Sequence, residues 1–226
     1  VARFAADGMT LDPALIPTDT AVSTYALTRD EAAERKAAAF LLGDNLERTT
    51  QGGGIYTYTS QQGAAAFRDT GSFDAAGSLS QENAEAFCRD FCKAFSYDTP
   101  IFTLDETGSG TATAVRLWNG TPVFNAAVTF TIDQGRVLSA SGALLPETGV
   151  ETSSGQKPLS AFAALTAFQQ MRHASSSVVS SITEVSLCYE LQSTTAAPMA
   201  LVPSWRIVTD TATFYVNCIS GTVRRA

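Results

Sequence analysis

The chain has 226 residues, 45% of them hydrophobic and 16% charged, which supplies material for one large core or two small ones and argues against global disorder. Its formal net charge of −7 argues against nucleic-acid binding, which needs a positive surface to displace counterions. No stretch approaches the roughly 20 consecutive apolar residues that span a bilayer.

Residues 1–24 begin with Val rather than Met and are broken by Pro13 and Pro17 without sustained periodicity. They read as a tether following a removed anchor, signal or tag, and a tethered, acidic domain rich in Ser, Thr and Gly fits the outside of a cell. Three helix starts then share the form Leu-Ser/Thr-x-x-x-Ala: LTRDEA from Leu27, LSQENA from Leu79 and LSAFAA from Leu159. In each, the Ser or Thr is expected to cap orphan amides and the Leu to fold back on the first turn. Thr28 with Glu31 forms a capping box, and Asp30, Glu31 and Glu82 suit the positive helix end.

The apolar spacing supports helices after each start. Ala33, Ala37, Phe40 and Leu41 form the first stripe, with Gly43 as its C-cap. Ala84, Phe87, Cys88, Phe91, Cys92 and Phe95 form the second, and Ala161, Ala164, Leu165, Phe168 and Met171 the third. Strand-like runs follow each helix: IYTYTS and AAAFRDTGSF, then PIFTLDET, TATAVRLWNG and TPVFNAAVTFTIDQGRVLSASG, then ITEVSLCYELQS, PMALVPSWRIVTD and a closing hairpin. Leu79 and Leu159 lie 80 residues apart and the turn glycines Gly135 and Gly221 lie 86 apart, suggesting a repeated plan. The fold class expected is α+β, with two tandem helix-plus-antiparallel-sheet units. The first spans 25–145 and the second 146–226, joined through the Gly/Ser/Thr/Pro-rich residues 146–158.

Chemistry is sparse along the chain. His173, the sole histidine, falls at the polar end of the third helix, where a cationic imidazole complements the dipole. No Gly-x-Ser-x-Gly elbow accompanies the serines of HASSSVVSS, and GSGTATAV at Gly108 lacks the Lys of a phosphate loop and reads as a hairpin turn. Asp105, Glu106 and Asp133 fall in turns; clustered in one deep cleft they would suit a hydrolase. Asn119-Gly120-Thr121 matches a glycosylation pattern but reads as a strand-connecting turn, and Trp118 and Trp205 read as core. Cys88 and Cys92 stack four apart on a helix, while Cys188 and Cys218 sit in separate strands and pair only if those strands are neighbours in register. Without a CxxC pair or a nearby His, no metal set is expected. No catalytic, cofactor-binding or metal residue is assigned.

The stretches GQKPLSAFAALTAF, ITEVSLCYELQ and ALVPSWRIVTDTATFYVNCISGTVRR together resemble the C-terminal half of YycI-type regulatory proteins, relatives of YycH and, more loosely, of PepSY-like domains, cystatin-like in outline. The likeness covers 145–226; residues 25–145 follow it in plan. It implies a bacterial, non-enzymatic protein without cofactor, anchored by one N-terminal transmembrane helix and folded outside the cytoplasmic membrane. It further implies association with a WalK-like membrane sensor histidine kinase of a two-component system governing the cell wall, and with a YycH-like protein. The alternatives are a PepSY- or cystatin-like ligand-binding or protease-inhibitory module, and an extracellular hydrolase.

Overall fold

A computed structural model describes residues 4–5, 7–18, 20–80, 83–152, 155, 157–175, 178–194 and 197–226. Glu82, residues 153, 154 and 156 of the expected junction, and Ser176 and Ser177 lie outside them. The elements begin with β1 (Thr10–Leu11), β2 (Thr24–Leu27), α1 (Glu31–Leu42), β3 (Glu47–Thr50), β4 (Tyr56–Ser60), β5 (Gly63–Phe67) and β6 (Ser72–Gly77). There follow α2 (Ala84–Ala94), β7 (Ile101–Leu104), β8 (Gly110–Trp118), β9 (Thr121–Asp133), β10 (Arg136–Ala143) and β11 (Val150–Thr152). The chain closes with α3 (Ala161–Ser175), β12 (Ser181–Gln192), β13 (Met199–Thr209), β14 (Thr213–Asn217) and β15 (Val223–Arg225).

This layout corrects the expectation of two tandem helix-plus-antiparallel-sheet units. Among the described residues the 15 strands belong to one large mixed sheet accompanied by three α-helices, with 20% of the residues helical against 45% in strands. Strand length is the physical reason. β9, β12 and β13 run to 13, 12 and 11 residues, about twice the usual five or six. Strands that long carry more backbone donors and acceptors than a small closed meander can satisfy.

The chain divides into two compact units. Unit I comprises Val1–Tyr25, Glu151–Glu190 and Leu201–Ala226; unit II comprises Ala26–Val150 and Leu191–Ala200. In unit I, β13 pairs antiparallel with β14 and β14 with β15, while β1 runs parallel to β12 through Thr10 and Leu11 opposite Ser181 and Ile182. Helix α3 buries Ala161, Ala164, Leu165 and Phe168 against Trp205, Ile207, Phe214 and Val216. The residues expected as a tether join this core: Phe4, Met9 and Leu11 are all buried in it. Trp205 hydrogen-bonds through its indole N–H to the Leu159 carbonyl at 2.8 Å, which seats the start of α3 on β13.

Unit II holds an eight-stranded antiparallel sheet in the order β3-β4-β5-β6-β10-β9-β8-β7. Two tight turns keep its long strands in phase. Asn119 and Gly120 have φ of 49° and 77° and join Trp118 to its partner Thr121, the mirror-image turn whose twist matches that of the strands. Gln134 and Gly135 do the same between Asp133 and Arg136. Helices α1 and α2 pack on one face of the sheet, and Phe91 stands at the centre of that core, fully buried. Its ring meets Phe40, Phe95, Tyr97 and Phe130 at centroid distances of 5.5, 4.7, 5.9 and 5.4 Å.

The helix caps partly depart from expectation. Ser160 caps α3, its side chain accepting from Ala163 N at 3.3 Å. For α1 the cap is Asp30, which accepts from Ala33 N at 3.0 Å, and for α2 it is Asn83, accepting from Ala86 N at 3.1 Å. The Thr28 and Ser80 caps are thus displaced by the carboxylate and amide nearer the first helical residue. Gly43 closes α1 as expected.

Truncating Phe91 to Ala removes a fully enclosed ring and should cost about 3–5 kcal/mol in urea unfolding. Phe162→Ala, on the outer side of α3 at 62% exposure, should stay within about 0.5 kcal/mol.

Candidate functional site

The pleat of the unit II sheet sorts its residues into rows across all eight strands. One inward row runs Phe102, Ala112, Phe130, Ala140, Ala75, Ala65 and Tyr58, each directly opposite the next, and packs under the helices. The flanking rows point the other way. One reads Thr103, Thr111, Thr131, Ser139, Ala76, Ala64, Thr59, Glu47. The other reads Ile101, Thr113, Thr129, Ser141, Asp74, Ala66, Thr57, Thr49. Thr111, Thr113, Thr131, Ser141, Ala64 and Ala76 are exposed. The face opposite the helices is therefore open and rich in hydroxyl and methyl groups, with one exposed carboxylate in its middle strands, Asp74 on β6, which Arg68 meets at 2.6 Å. Neighbouring hydroxyls interact, with Thr113 and Thr129 Oγ1 3.4 Å apart. Strands about 4.8 Å apart and residues two apart at about 6.8 Å set the spacing of this grid.

Sequence reading passed over the signal for this face. The triplets Thr57-Tyr58-Thr59, Thr111-Ala112-Thr113, Thr129-Phe130-Thr131 and Ser139-Ala140-Ser141 place a hydroxyl on either side of each core residue. That is period-2 patterning in which the polar phase carries the information.

The residues singled out for chemistry have structural roles. Asp105 accepts from Thr107 N, Thr107 Oγ1 and Ser109 N at 2.8, 2.7 and 3.0 Å, and these bonds, led by the Thr107 hydroxyl, lower its carboxyl below the ordinary value. Ser109 Oγ in turn donates to Asp133 at 3.1 Å, so the turns after β7 and β9 meet. Asp105, Glu106 and Asp133 thus come to one end of the sheet, but all three are solvent-exposed and line no cleft found among the described residues. His173 ends α3 and lies 3.1 Å from Asp7 Oδ2. A hydrogen bond from Gln169 is the main influence lowering the Asp7 carboxyl, with smaller ones from His173 and Arg172. Gly108 closes the β7–β8 turn as expected, and Trp118 and Trp205 are buried.

Two arginines, the buried Arg116 and the half-buried Arg29, hold loop backbone. Arg116, at 0% exposure, donates to the carbonyls of Ser96, Leu117 and Leu145 at 2.6, 2.7 and 2.8 Å and to Glu147 at 3.1 Å. Arg29 forms a two-bond pair with Glu34 at 2.7 and 2.9 Å; burial outweighs that pairing and raises the Glu34 carboxyl. The cavity beside this pair holds about 10 Å³, room for one water at most.

All four cysteines are free and buried. Cys188 in β12 and Cys218 after β14 lie on opposite sides of β13, whose Ser204 pairs with Asn217. Cys188 donates its thiol to the Ser204 carbonyl at 3.2 Å, and no disulfide joins it to Cys218. Among the described residues, no group of His, Cys, Asp and Glu is placed to hold a metal ion.

No protein-family model and no curated protein matches this chain. Solved structures are similar to it at low identity. One is a crystal structure of an uncharacterized protein from Eubacterium rectale ATCC 33656, 12% identical, covering 91% of this chain and 81% of that one at a TM-score of 0.48. Another, a weak neighbour, is the Bacillus megaterium YpeB C-terminal domain, 13% identical, covering 88% of this chain and 98% of that one at a TM-score of 0.40.

Burial pushes each thiol from its ordinary 9.0 up to about 12. A disulfide reagent at about pH 8 should therefore label none of the four in the native protein and all of them in guanidinium. Above pH 9.0 the unfolded chain sheds these protons first, so the stability present below that value should fall as pH rises toward 12. Urea midpoints measured across that range check the sign.

Proposed function

We propose that the protein is a non-enzymatic, PepSY-like extracytoplasmic module that docks another protein on the open face of the unit II sheet. The observation that carries this reading is the pair of outward rows on the face opposite the helices, hydroxyl- and methyl-bearing across the middle strands apart from the Arg68-paired Asp74. Small uncharged groups are cheaper to desolvate than charged ones, and hydroxyls rotate to donate or accept as a partner requires. The rows are not a greasy patch, which favours a reversible protein contact over capture of an apolar ligand. Enzyme sites usually sit in well-formed concave pockets. The larger grooves found among the described residues are open ones, and Asp105 and Asp133 outside them brace turns.

The finer form of the proposal comes from the resemblance of residues 145–226. In it, the module is held at the outer side of the cytoplasmic membrane by an N-terminal anchor. There it modulates a WalK-like sensor histidine kinase, alone or with a YycH-like protein. No helix among the described residues is long and apolar enough to cross a membrane.

The test is crosslinking and capture from membranes with the anchored full-length protein. A sensor kinase should be recovered, and Thr131→Arg with Ser141→Arg should lower recovery by roughly tenfold, about 1.4 kcal/mol, with unchanged circular dichroism. Capture indifferent to both substitutions would remove the open face from the proposal. Repeated capture lacking any sensor kinase would remove the kinase.

A further inference from the structure

We propose that strand β7 is a self-association edge, by which a second copy of this chain extends the unit II sheet across a two-fold axis. The inference is independent of the partner reading above.

The eight-stranded sheet ends in β3 and β7, and the two edges are built differently. The β3 edge carries Glu47 and Arg48, the charges with which sheets guard a free edge, and Arg48 is engaged by Glu31 at 2.8 Å. The β7 edge reads Ile-Phe-Thr-Leu, without a charge, and Ile101 is 74% exposed. β7 pairs with β8 alone. Counting from the bond between Asp105 N and the Ser109 carbonyl, 2.9 Å, ladder alternation turns the N–H and C=O of Phe102 and Leu104 to the open side.

Those four groups match a two-fold copy of themselves. An antiparallel second β7 places Phe102 opposite the second copy's Leu104 and Thr103 opposite its own mate, giving four main-chain hydrogen bonds. Pro100, which has no N–H, ends the ladder beyond them. The same register sets Pro100 opposite Glu106 of the second copy.

Charge agrees with this register. Pro100 borders an open groove of about 380 Å³ also lined by Arg89, Lys93, Asp98 and Thr99. Arg89 already faces Glu85 at 3.5 Å and the Phe102 ring at 5.1 Å, and Asp98 accepts from Thr99 N at 2.7 Å. Among the described residues Lys93 has no ion pair, and neither has Glu106. The two-fold brings them together twice, once at each end of the ladder. An interface this narrow belongs to the weak, transient class, with a dissociation constant on the order of 0.1–1 mM.

Analytical ultracentrifugation of the purified chain over that concentration range tests it. A reversible monomer–dimer equilibrium is expected. Thr103→Lys, at an exposed position, sets two ammonium groups directly opposite and should weaken it by at least about tenfold. Glu106→Lys should weaken it as well, and Lys93→Glu combined with Glu106→Lys should restore it. A chain that stays monomeric throughout, or a dimer indifferent to Thr103→Lys, or a charge swap that fails to rescue, would overturn the proposal. Crosslinking of β7 to a different protein with no self-association would equally overturn it, while leaving capture through the open face standing.

Discussion

Pleat phase is the constraint on which unit II depends. Side chains alternate with a period of two, so a one-residue slip would send Phe130, Ala140 and Tyr58 to solvent and bring a row of threonines under the helices. The phase is pinned locally by turns that tolerate a single geometry, at Asn119-Gly120 and Gln134-Gly135. It is pinned globally by Phe91, whose ring has room only if aromatic partners arrive from α1, β6 and β9 together. The open face is then a by-product of the buried one, its regularity inherited from the same registration.

Around that sheet the chain spends its charge on holding irregular backbone. Arg116 gathers carbonyls from residues 96, 117 and 145, while Tyr97 donates to Ala143 at 2.6 Å and Trp118 to Pro146 at 3.2 Å. A buried guanidinium of this kind is costly to desolvate and tolerable only when nearly every donor is used. The arrangement fixes the chain as it leaves β10. The thiols follow similar logic from the apolar side: in surroundings that disfavour a thiolate they act as small hydrophobes.

Local structure was largely legible in the residues, and association between strands was not. Apolar spacing marks all three helices, and Asp, Asn and Gly mark the hairpins, because both signals arise within a few residues. Capping failed where two candidates lay within a few residues: Asp30 prevails over Thr28, and Asn83 over Ser80, since a cap must stand immediately before the first helical residue. Which strand edges pair, and whether strands close into small meanders or one sheet, is settled by contacts between distant segments, and periodicity is silent on it. The Cys188 and Cys218 question had the same limit, since their separation depends on β13 lying between them. The open face was legible in principle. Thr-x-Thr and Ser-x-Ser triplets announce it, yet attention to apolar positions treats the residues between them as ordinary solvated surface.

The opening dozen residues carry a mechanical implication. Phe4, Met9 and Leu11 share a core with Phe168 and Phe214, and Thr10 and Leu11 lie in ladder with Ser181 and Ile182. A fragment trimmed past residue 12 would be a wounded protein, with a void where three side chains had been. Tension applied at Thr10 and Leu11 would pass straight into β12, to which they are laddered.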